Sequence, residues 1–243
     1  MSCNDNLNYF AKNIFSQHGE DGILERLLDL IGTQEKYAVE FGAWDGIFLS
    51  NIRNLIVNHG YKGLFIEGDF EKMAECKENY KDNENVSCVQ DFVGFIEHKK
   101  LDVFLKENNI PKNFDVLVID IDGYDYHVWE SLVDYRPRIV IIEYNASMPN
   151  DVFFVNPYSE SIFMGSSAVA MVVLGFQKGY ELVATTTTNC IFVVEEEYDK
   201  VCISDNRLTT LRYENHLSDG VFYQTYNKQF LMQGYKNYIW EQN

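Results

Sequence analysis

Between Tyr37 and Tyr144 five short apolar runs alternate with stretches of helical period, and this alternation constrains the architecture more than any other feature. Tyr37–Phe41, Gly63–Glu67, Val86–Gln90, Phe114–Asp120 and Arg138–Tyr144 read as strands. They are continuous and rich in β-branched residues, as strands covered on both faces are. Ser50 caps a helix running through Ile52, Leu55 and Ile56 to Gly60. Further helices are expected over Phe70–Tyr80, before Pro111, and over Asp125–Leu132. Ahead of them, Gly19–Gly32 places Ile23, Leu24, Leu27, Leu28 and Ile31 on one helical face, with acids at its start and Gly32 at its end. After a loop, Ser166–Gly179 reads as helix, and Tyr180–Thr185 and Asn189–Glu195 as a hairpin across a Thr-rich turn. Strands alternating with helices demand a parallel sheet with right-handed crossovers. The expected fold is α/β: a doubly wound, mostly parallel seven-stranded sheet with an antiparallel edge hairpin. One domain over 1–243 is expected, with an N-terminal lead (1–18) and a C-terminal segment (204–243) read as helical cover.

Composition excludes several functions. Twenty basic against 37 acidic residues give a net charge of −17, which repels phosphate backbones and anionic membranes, so no nucleic-acid partner is expected. The longest apolar run, Ala168 to Leu174, is far too short to span a bilayer, and the first residues lack a signal-peptide core. Five cysteines without a CxxC pair give neither a disulfide framework nor a zinc motif, and fit a reducing cytoplasm.

In an open α/β sheet, ligands bind outside the carboxyl ends of the strands. The first strand runs into Glu40-Phe41-Gly42-Ala43-Trp44-Asp45-Gly46, where two glycines allow close approach of a ligand. The dinucleotide fingerprint G-x-G-x-x-G is absent, which counts against a nicotinamide cofactor. The second strand ends in Glu67-Gly68-Asp69, an acid placed to accept from ribose hydroxyls. The third ends near Asp91-Phe92, a polar and aromatic pair suited to flank an adenine. Each of these acids, taken alone, is equally explained as a solvated loop residue.

A second constellation comprises Asp120, Asp122, Asp125 and His127, with Glu143 and Asn145. Neighbouring strands lie about 4.8 Å apart, so Asp120 and Glu143 can converge on one ion. Carboxylate and amide oxygens suit Mg, Mn or Ca, and an imidazole among them admits Fe. The bland alternative makes Asp122-Gly123 a turn and Asp125 a helix cap. Asp122 and His127 are the candidate bases; His18 and His216 rank below them. Trp44, Trp129 and Trp240 are expected in the core or its cover, and Tyr213, Tyr223, Tyr226, Tyr235 and Tyr238 form either an acceptor lid or packing.

The segments E-F-G-A-W-D-G (from Glu40), L-S-N (from Leu49), F-I-E-G-D (from Phe65), I-D-I-D-G-Y-D-Y (from Ile119) and I-I-E-Y-N (from Ile141) together resemble the FkbM-type S-adenosylmethionine-dependent O-methyltransferases. The likeness spans roughly Ser16 to Val194 and is nearest to enzymes acting on sugars, including nucleotide-linked heptoses of capsular polysaccharide. It implies a Rossmann-like methyltransferase fold and S-adenosylmethionine as cofactor. It also implies that Glu40, Gly42 and Ala43 lie by the methionine moiety, Glu67 and Gly68 by the ribose, and Asp91 by the adenine. Ser16, Gln17 and Ser50 are its candidates for the amino-acid end. The metal-dependent O-methyltransferases of catechols and macrolide sugars are similar in the second constellation, which implies a divalent metal (Mg, Mn or Fe) on Asp120, Glu143 and Asn145. Here two acids, Asp120 and Asp122, stand at the first metal position, so ligand and base remain interchangeable between them. The expected acceptor is a sugar or nucleotide sugar, with a lipid, another small molecule, or a non-catalytic nucleoside-binding role as alternatives; a homo-oligomer is compatible with either.

Overall fold

The computed structural model describes residues 6–158 and 164–212, together with the backbone of 221–224, 230–234 and 237–240. Helix α1 (Glu20–Ile31) precedes an alternating series: β1 (Tyr37–Phe41), α2 (Arg53–His59), β2 (Lys62–Glu67), α3 (Phe70–Asn79), β3 (Val86–Gln90), α4 (Leu101–Glu107), β4 (Val116–Ile119), α5 (Asp125–Ser131) and β5 (Ile139–Glu143). Helix α6 (Ala168–Gln177) leads to β6 (Tyr180–Thr185), β7 (Asn189–Val194) and α7 (Glu195–Val201). The seven strands lie in the order β3-β2-β1-β4-β5-β7-β6. All pairings from β3 through β5 are parallel, while β7 runs antiparallel to both β5 and β6. The expected doubly wound sheet with an antiparallel edge pair is therefore present.

The two-residue period of the strands explains why both faces are covered. Val39, Phe41, Leu117, Ile119, Val140 and Ile142 pack on one face with Phe104, Trp129 and Met171 from α4, α5 and α6. Their chain neighbours Ala38, Val116, Val118, Ile139 and Ile141 pack on the other with Leu27, Leu55 and Met73 from α1, α2 and α3. A one-residue slip of any central strand would exchange its two apolar sets between differently shaped layers.

The tail departs from expectation. A single helical turn, α8 (Leu208–Leu211), is followed by three strands, β8 (Val221–Gln224), β9 (Phe230–Gly234) and β10 (Asn237–Trp240), in an antiparallel sheet of order β10-β9-β8. The expected helical cover is thus replaced by strands, whose aromatic and branched residues favour extended backbone. Tyr213, His216, Tyr226 and Tyr235, and the side chains of Tyr223, Tyr238 and Trp240, lie outside the described residues. Trp129 is fully buried as expected, but Trp44 is half exposed and belongs to no core. Among the described residues Cys76, Cys88, Cys190 and Cys202 are free thiols. No described helix is long and apolar enough to cross a membrane.

Candidate functional site

At the carboxyl edge of the sheet the loops after β1, β2, β3, β4 and β5 surround a cavity of about 940 Å³. Its floor requires glycine at the end of β1. Gly42 has φ +74°, and a Cβ there would stand 1.6 Å from the Asp120 carbonyl oxygen. Any side chain would push the β1 loop off the end of β4. Beyond Gly42, Asp45 Oδ1 accepts from the amides of Ile47 and Phe48 at 2.9 and 2.7 Å and fixes the turn.

Glu40 is buried beneath this loop, where its carboxylate accepts from Ser50 Oγ at 2.5 Å and the Asn51 amide at 2.8 Å. Ser50 Oγ in turn accepts from the Arg53 amide at 3.1 Å, but the N-cap of α2 is Ile52, so Ser50 reaches the helix start from two residues ahead of the cap position expected for it. At the end of β2, Glu67 accepts the Trp44 amide on Oε2 (2.9 Å) and the Asp69 amide on Oε1 (2.8 Å). Two backbone donors fix this carboxylate in place, and each oxygen keeps a lone pair for a ligand. At the end of β3, Asp91 pairs with Lys99, which holds its carboxyl below the usual range. The Phe92 ring covers Gly68, where a Cβ would lie 2.2 Å from the ring.

Asp120 follows β4, Glu143 closes β5, and Asp122 lies on a left-handed residue (φ +56°). One carboxylate oxygen from each falls within 4.8 Å of the others. Asp125 holds the preceding loop, accepting from the Ile121 and Gly123 amides at 2.9 Å each; it is the first residue of α5, whose N-cap is Tyr124 with no side-chain cap, so it braces the turn and does not supply the expected helix cap. The rings of Phe95, Tyr124 and Tyr158 also line the cavity, with centroids 5.1 to 6.1 Å apart.

Gln17, Glu40, Gly42, Ala43, Ser50, Glu67, Gly68, Asp91, Asp120, Asp122 and Glu143 all line this cavity. Three sequence candidates do not. Ser16 accepts the Asp21 amide at the start of α1 (3.1 Å). His127 Nε2 donates to the Asn156 carbonyl at 2.7 Å, and Nδ1 stands 3.8 Å from Glu130. Asn145 donates to the Met164 carbonyl at 2.6 Å, and its Oδ1 accepts from the amide and hydroxyl of Ser147. His18, a lower-ranked candidate base, lines the cavity too, while sequence reasoning missed Glu20, Thr188 and Asn189 along with the aromatic wall.

Seven acids line the cavity against one lysine, Lys99, which is already paired with Asp91. Burial lifts Glu40 from its ordinary 4.5 to about 7 and Asp125 from 3.8 to about 6. Glu143 rises to about 8 through burial and the charges of Asp125 and Asp122, and Asp120 is raised by burial and by Glu143. A carboxyl whose folded pKa exceeds its unfolded one adds stability below the unfolded value and loses it as pH climbs through the folded value. The ligand-free protein should therefore melt at a lower temperature at pH 8.5 than at pH 5.5, and a millimolar divalent cation should restore part of the loss. A melting temperature that is flat or rising over that interval would contradict this electrostatic picture.

No family model and no curated protein matches the chain. Among solved structures it is similar to the N-terminal domain of EvdMO1 with SAH bound, at 14% identity over 76% of this chain and 81% of that one, TM-score 0.46. It is also similar to a SAM dependent methyltransferase from Aquifex aeolicus, at 15% identity over 70% and 89%, TM-score 0.41. The methyltransferase domain of bacterial CtHen1 shares 13% identity over 71% and 96%, TM-score 0.45. Fold and site together define a Rossmann-like α/β protein with an acid-lined ligand cavity at its strand ends.

Proposed function

We propose that this chain transfers a methyl group from S-adenosylmethionine to a sugar hydroxyl. The acceptor is a nucleotide-linked sugar, such as a GDP-heptose for surface polysaccharide, and a divalent cation assists at Asp120 and Glu143. One observation carries the reading. A carboxylate fixed by two backbone amides at the end of β2, Glu67, shares a cavity with the close trio of Asp120, Asp122 and Glu143. The sugar and its nucleotide link follow from the FkbM-type resemblance.

The residues fit both groups. Glu67 presents two acceptor oxygens to a ribose diol, and the Gly42 turn, which packs directly on the Asp120 carbonyl, lines the cavity where the methionine chain would lie. Ala43, Gln17 and Ser50 line the same cavity and are assigned to the methionine end, Gly68 to the ribose and Asp91 to the adenine, on the FkbM-type resemblance, and Phe92 to the adenine as the aromatic next to Asp91. Oxygens on one cation lie no more than about 5 Å apart at Ca distances (roughly 2.5 Å) and about 4.2 Å at Mg distances (roughly 2.1 Å), and the trio, within 4.8 Å, meets the wider limit.

Bound S-adenosylmethionine supplies an electrophilic methyl, and a cation supplies a charge that orients neighbouring hydroxyls and acidifies one. The protein's task is to hold the hydroxyl oxygen in line with that methyl. Asp122, at the exposed rim of the trio, takes the hydroxyl proton at its carboxylate. His127 is set aside as base, because it does not line the cavity and its Nε2 is committed to a carbonyl. The aromatic cluster of Phe95, Tyr124 and Tyr158 offers the acceptor ring an apolar face in the same cavity.

Calorimetric titration with S-adenosylhomocysteine, with NADH as control, tests the cofactor, and S-adenosylmethionine consumption over sugars, nucleotide sugars and lipids tests the acceptor. Glu67→Ala removes two charge-assisted acceptors and should weaken S-adenosylhomocysteine by about 10- to 100-fold. Unchanged affinity would remove Glu67 from the ribose site.

A further inference from the structure

We propose that Asn189, at the start of β7, supplies the neutral oxygen ligand of the cation held by Asp120 and Glu143. The inference rests on the cation reading above and assigns the amide role to a different strand from the expected Asn145.

Strand β7 runs antiparallel to β5, so its first residue, not its last, lies at the carboxyl edge of the sheet. Glu143 and Asn189 are direct cross-strand partners. Partners of this kind project side chains to the same face with Cβ atoms about 5 Å apart. Asp120 stands one strand further along, after β4. Three adjacent strands thus bring a carboxylate, a carboxylate and an amide to one row of the sheet.

The amide's orientation is chemically fixed. Asn189 Nδ2 donates to Glu20 Oε1 at 3.0 Å, and the same oxygen accepts from Thr186 Oγ1 at 2.6 Å. With Nδ2 donating to a carboxylate oxygen that also accepts from Thr186, Oδ1 faces away from Glu20. Asn189 is 4% exposed and lines the cavity, yet its Oδ1 has no hydrogen-bond donor. A buried acceptor without a donor calls for an explanation, and beside two carboxylates a cation is the partner that satisfies all three. Asn145 has no such vacancy: its Oδ1 accepts twice from Ser147, and it does not line the cavity.

The test is Mn²⁺ binding to the full chain without cofactor, followed by electron paramagnetic resonance of the free ion. Asn189→Ala should weaken Mn²⁺ at least tenfold, while Asn145→Ala stays within twofold of wild type. Asn189→Asp keeps an oxygen but loses the NH₂ that Glu20 uses. It should bind Mn²⁺ at least as tightly as wild type if the oxygen is a ligand, and should fail as Ala does if the amide only braces Glu20. Mn²⁺ affinity that is unchanged in Asn189→Ala, or lost in Asn189→Asp, overturns the proposal. Wild-type protein that binds no Mn²⁺ overturns it together with the cation reading. S-adenosylhomocysteine titration of the same samples reports separately on methyl transfer and on folding.

Discussion

Exchange of Asp120 for Asn, or of Glu143 for Gln, is expected to lower methyl-transfer turnover by about 10²- to 10⁴-fold, the range typical for loss of a group acting on the reacting proton or its oxygen. Both changes keep the side-chain shape. Both lie away from the Glu67 end of the cavity, so S-adenosylhomocysteine affinity should stay close to wild type. The same substitutions should make the ligand-free protein more stable. Burial and mutual repulsion hold both carboxyls above their ordinary pKa, so each ionised form is strained in the empty fold. Relief of about 1 kcal/mol would raise the melting temperature by roughly 2–4 °C in a chain of this length. Opposite signs for activity and stability separate a working acid pair from a structural one. Turnover is read as S-adenosylhomocysteine release at saturating S-adenosylmethionine, and melting at pH 8. Full turnover in both variants would sink the assignment, and a large fall in melting temperature would identify the pair as structural.

What the sequence disclosed follows from where the physics is local. Strands β1, β3 and β6 begin and end where the residue pattern puts them, because apolar β-branched runs bounded by polar or glycine residues need no distant partner to be read. The carboxyl-edge rule likewise located Glu67, Asp120 and Glu143, since in a parallel sheet each site residue trails its own strand. The same rule fails at β7. An antiparallel strand presents its leading residue at that edge, and only the insertion of β7 between β5 and β6 puts Asn189 beside Glu143. His127 and Asn145 fall outside the cavity lining for a related reason. Their partners, the Asn156 and Met164 carbonyls, come from 29 and 19 residues away, a separation no local periodicity encodes. Helix α7 opens with three acids, Glu195 to Glu197, which suit the positive end of a helix but give no apolar stripe to detect. In the tail, V-F-Y-Q and N-Y-I-W are too short and too uniformly non-polar to declare a period of two.

At the opposite edge of the sheet, Asp115→Ala is expected to cost about 3–5 kcal/mol of folding stability, the range for stranding one charge of a buried pair. Asp115 is fully buried just ahead of β4 and meets Arg138 Nη1 at 2.7 Å. Its carboxylate also accepts the amides of Gln34 (3.1 Å), Glu35 (3.2 Å) and Lys36 (2.8 Å), the whole turn between α1 and β1. Arg138 extends the network to the Ile31 and Gly32 carbonyls, which end α1, and to Glu197 on α7. One carboxylate thus ties the ends of α1, β1, β4, β5 and α7 together, and its loss leaves three amides without their acceptor and the buried Arg138 with Glu197 as its remaining counter-charge. Asp115→Asn keeps part of the amide acceptance and should cost less than Ala. The double variant Asp115→Ala with Arg138→Met, which removes the stranded charge, should recover part of the loss. Urea unfolding of the set measures this, and equal losses in the single and double variants would show that packing, not the buried charge, sets the cost. Because the network lies at the far end of the strands from the cavity, folded Asp115→Asn protein should bind S-adenosylhomocysteine as wild type does. A selective loss of that affinity would mean that the two edges of the sheet are coupled.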